Sequence, residues 1–82
     1  MVTIWGRPSC GYCERAKDLC EQYGLQYEYI LIDGPEKLQE LHELVPEART
    51  VPQIFWNGKY IGGYTELALE IENTRNFGQE KI

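Results

Sequence analysis

Basic residues are scarce in this chain. Eight lysines and arginines stand against thirteen aspartates and glutamates, a formal net charge of −5 over 82 residues. The eight are scattered, so no basic stripe exists to neutralise phosphates, and no nucleic-acid partner is expected. Long hydrophobic runs are also missing. Without a bilayer-length apolar stretch, or the basic start and apolar block of a secretory signal, the expectation is a cytoplasmic protein with no membrane association. Cysteine is limited to three, an odd number that suits a reducing compartment better than a stapled secreted scaffold. There is one histidine, His42, and one C-x-x-C. A structural zinc normally takes a second pair of ligands, and only Cys20 and His42 remain, so no metal is expected. The length leaves no room for a second module: a single domain spanning residues 1–82, near the size at which folding is marginal.

What is present centres on Cys10-Gly11-Tyr12-Cys13, at the point where a strand-like apolar run gives way to a helical pattern. Cysteines at i and i+3 on the first turn of a helix share a face and can bridge without bending the backbone far. A static bridge closing so short a loop adds little stability, because the entropic gain grows with loop length. A pair that opens and closes in place instead suits thiol-disulfide exchange. The attacking species is a thiolate, and a free thiol with a pKa near ~8.5 is mostly protonated at neutral pH. Lowering that value by about three units takes roughly 4 kcal/mol. A helix dipole supplies about 0.3 to 1 kcal/mol, at most about 2. The balance is assigned to the free N–H groups of Tyr12 and Cys13 pointing at the Cys10 sulfur, with Arg7 a further cationic candidate. Cys10 is therefore the expected nucleophile and Cys13 the resolving thiol.

Along the chain, Val2 to Gly6 reads as a strand, and Arg7-Pro8-Ser9 breaks the pattern. From Tyr12 to Tyr23 an amphipathic helix is predicted, with Cys13, Ala16, Leu19, Cys20 and Tyr23 inward and Gly24 as its stop. Cys20 lies two turns beyond Cys13 and is expected to be a small core residue rather than a regulatory thiol. Tyr27 to Ile32 reads as a strand covered on both faces. Pro35 opens a second helix whose buried stripe is Leu38, Leu41, Leu44 and Val45, with His42 on the exposed side and no chemical role expected. Ile54 to Trp56 and Lys59 to Ile61 form a hairpin around a type I′ turn at Asn57-Gly58. Thr65 is the expected N-cap of a last helix with Leu67, Ala68, Ile71 and Arg75 inward, and the polar tail from Asn76 is expected to fray. The order β-α-β-α-β-β-α, with C-x-x-C at the first strand–helix junction, is the pattern of an α/β thioredoxin-like fold: a four-stranded mixed sheet flanked by three helices.

Almost the whole chain also resembles a small two-cysteine glutaredoxin. The resemblance rests on Gly6-Arg7 before Cys10-Gly11-Tyr12-Cys13, on Ala16-Lys17-Asp18-Leu19, on Thr50-Val51-Pro52-Gln53-Ile54-Phe55 and on Ile61-Gly62-Gly63-Tyr64-Thr65, in that order. It implies a monomeric glutathione-disulfide oxidoreductase. In this scheme Cys10 attacks protein disulfides and glutathionylated proteins, Cys13 resolves, and glutathione restores the dithiol; ribonucleotide reductase is an implied partner. It further implies a cis Pro52, with the backbone of Val51 pairing with the cysteinyl unit of glutathione in a one-residue strand addition. The γ-glutamyl carboxylate falls by resemblance at the start of the last helix, near Thr65 and Glu66, with Gly63 and Tyr64 also among the implied glutathione contacts. Arg7, Tyr12, Arg49 and Thr50 line the rest of the groove, one of the arginines meeting the glycyl carboxylate. Gly11 departs from the proline usual in two-cysteine members. Some members without that proline resemble glutathione-assisted [2Fe–2S] carriers, and others accept electrons from thioredoxin reductase, so both remain alternatives.

Overall fold

A computed structural model describes the backbone of residues 1–80 and the side chains of residues 1–74. Seven elements follow in order: β1 (Val2–Gly6), α1 (Gly11–Gln22), β2 (Tyr27–Leu31), α2 (Pro35–Leu44), β3 (Gln53–Trp56), β4 (Lys59–Gly62) and α3 (Tyr64–Glu80). The strands form one sheet in the order β2-β1-β3-β4. β1 and β2 run parallel, as a βαβ crossover requires. β3 is antiparallel to β1, and β4 is antiparallel to β3. The fold is thioredoxin-like.

Strand alternation divides the core into two layers, one on each face of the sheet. On one face Val2, Ile4 and Ile54 pack with Ala16 and Cys20 of α1 and with Leu67 and Ile71 of α3. On the other, Trp5 packs with Ile32, Leu41, Val45 and Ala48, and Phe55 joins them. β1 is therefore covered on both sides and nearly sealed, with Val2, Ile4, Trp5 and Gly6 all buried. Its inner position fixes where its C-terminal end, and the cysteines beyond it, emerge.

Three expectations are corrected and one is qualified. β2 lies at the sheet edge, half-buried, with Leu31 42% exposed. Both faces do meet the core, Tyr27 and Tyr29 against the layer of α1 and α3 and Ile30 against the layer of Trp5 and Leu41, but the cover at this edge is partial. Leu44 is 59% exposed, while Leu41 and Val45 are buried as expected and Ala48, beyond the helix, joins them. Tyr23 is not on the buried stripe either: it caps α1 and is 37% exposed. Thr65 is not an N-cap, since α3 begins at Tyr64 and the Gly63 carbonyl already accepts from the Leu67 amide at 3.0 Å. The Asn57-Gly58 turn has positive φ at both residues, 51° and 85°, as type I′ demands. The inward position expected for Arg75 and the polar tail expected from Asn76 fall outside the residues with described side chains. Among the described residues no helix is long and apolar enough to cross a membrane.

Candidate active site

β1 ends at Gly6, and the turn through Ser9, whose φ is +59°, delivers Cys10 to the N-cap of α1. That cap fixes the geometry of the sulfur. Cys10 is extended at φ −102° and ψ 113°, its carbonyl accepts the first helical bond from Glu14 N–H at 3.1 Å, and its Sγ accepts from the Cys13 N–H at 3.2 Å. Of the two amides expected at the sulfur, that of Cys13 is the one that reaches it. A sulfur takes here the place that a serine or aspartate oxygen commonly fills, so one otherwise unpaired amide of the first turn is in position to partner a Cys10 thiolate once the bridge opens.

Cys10 and Cys13 are joined in a disulfide, with Cα atoms 5.2 Å apart. Their surroundings differ sharply. Cys10 is half-buried, and its Sγ lies 3.9 Å from the Val51 carbonyl oxygen. Cys13 is fully buried under β1. The packing there is tight enough that a Cβ on Gly6 would overlap the Tyr29 hydroxyl and come within 2.9 Å of Cys13 Sγ. One sulfur is thus open to a partner, and the other is reachable only through its neighbour. Cys20 stays apart as a free, fully buried thiol, and its burial, with Glu21 nearby, pushes its pKa up to about 11.

Eight of the ten residues expected in the groove line one concavity of about 240 Å³ beside the cysteines: Tyr12, Thr50, Val51, Pro52, Gly63, Tyr64, Thr65 and Glu66. They come from α1, the loop before β3 and the start of α3. The Val51–Pro52 peptide is cis. The Tyr12 and Tyr64 rings meet at 5.7 Å in a tilted pair, and the Arg15 guanidinium sits 5.0 Å over the Tyr12 ring. At the far end Glu66 accepts from the Gly63 N–H at 2.8 Å, half of a capping box. Gly62 permits this approach: its φ is +121°, and a Cβ there would lie 2.8 Å from Glu66 Cγ.

Arg7 and Arg49 do not line that groove. They line an adjoining cavity of about 400 Å³ that shares Thr50 and Val51 with it and has an apolar floor of Ile32, Leu38, Leu41 and Ala48. His42 lines the same cavity and bonds the Ala48 carbonyl through Nε2 at 2.9 Å, a partner that the sequence did not suggest. Two further residues escaped sequence reasoning. Arg15 at the Tyr12 ring reads in sequence as an ordinary exposed helix charge. Gln53, 5% exposed, is the one buried polar residue among those described; its signal is a polar side chain beginning an apolar strand next to a proline. Among the described residues no three metal-capable side chains converge.

A family model described as glutaredoxin matches residues 2–61. The chain is similar to glutaredoxin 1 of Escherichia coli, 42% identical over 74 residues covering 82% of this chain and 87% of that protein. It is also similar to glutaredoxin-C6 of Oryza sativa, 40% identical over 75 residues covering 87% and 67% respectively. Among solved structures, glutaredoxin 1 from Francisella tularensis complexed with cacodylate superposes with a TM-score of 0.77 at 29% identity, covering 92% of this chain and 95% of that one. The buckwheat glutaredoxin–glutathione complex superposes with a TM-score of 0.73 at 31% identity, covering 89% and 69%.

Proposed function

This chain belongs to the glutaredoxin family of thiol-disulfide oxidoreductases, and from that premise we propose that it is a glutathione-dependent reductase of protein disulfides and glutathione mixed disulfides. One observation carries the reading. A half-buried Cys10 sulfur at a helix N-cap, bridged to a fully buried Cys13, lies beside a groove of about 240 Å³ walled by Tyr12, the cis-proline loop and the start of α3. A glutathione complex of a relative supports the ligand's identity.

The chemistry balances as four exchanges. The Cys10 thiolate attacks one sulfur of a substrate disulfide, forming a mixed disulfide and releasing the other sulfur as a thiolate that takes up a proton. Cys13, having lost its proton, attacks Cys10 Sγ, which releases the second substrate thiolate and closes the Cys10–Cys13 bridge. Two glutathione thiolates then act in turn: the first opens the bridge at Cys10, the second displaces the bound glutathione as oxidised glutathione. Glutathionylated substrates need only Cys10, because its attack yields the same glutathione adduct directly. The Cys13 amide and the start of α1 stabilise the Cys10 anion as it attacks the substrate in the first exchange and as it leaves when oxidised glutathione is released in the last.

In the groove, the backbone of Val51 pairs with the cysteinyl unit, and Tyr12 and Tyr64 flank it. The free amides at the start of α3 meet the γ-glutamyl carboxylate, while Glu66 is placed for the ammonium of the same unit. Arg7 and Arg49, across Thr50, attract the glycyl carboxylate. Protein disulfides such as that of ribonucleotide reductase are the macromolecular substrates. Cys10→Ser is expected to abolish every exchange, and Cys13→Ser to keep reduction of glutathionylated substrates while losing that of protein disulfides. NADPH consumption coupled through glutathione and its reductase checks both; activity supported only by thioredoxin reductase, or equal loss in the two variants, would overturn the assignment.

A further inference from the structure

Gln53 stands at the first position of β3, directly after the cis proline, with its amide turned back under the loop that forms the groove wall. Its Nε2 lies 2.7 Å from the Thr50 carbonyl oxygen and 3.3 Å from Thr50 Oγ1, and its Oε1 is 2.5 Å from the Tyr60 hydroxyl of β4. The amide's orientation is fixed by chemistry: a carbonyl oxygen only accepts, so the nitrogen must face Thr50 and the oxygen must face Tyr60. Tyr60 must then donate. Thr50 Oγ1, receiving from Gln53, has its own hydrogen left to give elsewhere. Thr50 is exposed and lines both the groove and the arginine cavity.

We propose that Gln53 is a positioning residue that holds Thr50 in place and sets its hydroxyl as a hydrogen-bond donor to the ligand, so that the ligand atom met there is an acceptor oxygen. This deepens the glutathione reading and rests on it: the oxygen is the carboxylate that Arg7 and Arg49 face from the adjoining cavity. The relay runs one way, from Tyr60 O–H to Gln53, from the Gln53 amide to Thr50, and from Thr50 O–H into the site. Tyr60 suits its place, because burial first, then Glu47 and Glu66, raise its pKa above the usual phenol value and keep its proton on.

The test is steady-state kinetics on a glutathionylated peptide for the parent, Gln53→Met, Thr50→Val, the double variant and Tyr60→Phe. Gln53→Met is expected to raise KM about three- to tenfold, the range of one lost hydrogen bond, with kcat and the pH profile of Cys10 alkylation moving less than about twofold. Thr50→Val should raise KM comparably. The double variant should be no worse than the poorer single, since both remove one shared interaction. Tyr60→Phe, a mild change at a partly exposed hydroxyl, should raise KM about twofold and serves if Gln53→Met does not fold. An unchanged KM in Gln53→Met or, where that variant does not fold, in Tyr60→Phe overturns the proposal, as does multiplication of the two effects in the double variant. A parent that shows no saturable turnover of the glutathionylated peptide overturns the glutathione reading itself, whereas a saturating parent matched by Gln53→Met removes only this inference.

Discussion

Cys13 and Cys20 sit seven positions apart on α1, both without solvent exposure, yet one bridges to Cys10 and the other packs against Ala16, Ile54 and Leu67. Position on the helix explains the difference. Cys13 is in the first turn, beside the sulfur at the cap, and Cys20 is two turns deeper in the apolar layer. Burial raises the Cys20 pKa to about 11, well above the ~8.5 of an unfolded thiol. A folded-state value above the unfolded one gives a stabilising contribution that is whole below about pH 8.5 and is lost as pH rises towards the folded value. In the oxidised protein, where the active-site sulfurs do not titrate, Cys20→Ala should be less stable than the parent at neutral pH by about 1 kcal/mol. That deficit should narrow as the pH is raised from about 8 to about 10.5. Urea midpoints of the two proteins across that range decide it, and a constant gap would show that Cys20 does not carry the alkaline loss.

At the scale of elements, the α1 start is where sequence and structure meet most closely. Gly11 is the first residue of α1, and a Cβ there meets nothing within 4 Å. The first helical position accepts proline readily, because its amide has no helical partner and its φ is already near the proline value. Gly11→Pro should therefore fold normally and gain about 0.5 to 1 kcal/mol. The same restriction acts on the reduced pair, whose freedom is lost when the bridge closes, so the reduction potential should fall by roughly 10 to 20 mV. Equilibration in glutathione redox buffers, read by mass spectrometry after quenching, measures it; an unchanged or raised potential would show that glycine's freedom is not expressed in the dithiol form. Elements that the sequence described less well share one cause. Leu44 and the run ending β2 are apolar in sequence, but whether an apolar residue is covered depends on where its element lies in the sheet, which period alone does not state.

Over the whole molecule, charge is unevenly used. The exposed faces of α1 and α2 carry Glu14, Asp18 and Glu21, and Glu36, Glu40 and Glu43, whereas Arg7 and Arg49 border the cavity beside the groove. A net charge of −5 repels an anionic tripeptide at long range, so these two cations act mainly at close quarters. Salt screens the long-range repulsion more than the close attraction, so KM for a glutathionylated peptide should fall by up to about twofold between low and high ionic strength, and Arg7→Gln with Arg49→Gln should raise KM at every salt concentration while steepening that fall. Salt titration of the kinetics checks this, and an unaltered slope in the double variant would place the carboxylate elsewhere.

The sequence by itself determined the order and type of the elements, the junction that presents Cys10, the hairpin at Asn57-Gly58 and the set of residues proposed to border the groove. The first three follow from periodicity, turn chemistry and short spacings, all local properties of the chain, whereas the groove set follows from the resemblance of its motifs to a family. Tertiary structure alone decided that Cys13 is sealed beneath β1 while Cys10 stays accessible, and that Arg7 and Arg49 share a cavity next to the groove rather than lining it. It also decided that Gln53 turns inward between Tyr60 and Thr50. Each of these depends on which element covers which face, and a chain read in one dimension does not contain the distances between segments that packing brings together.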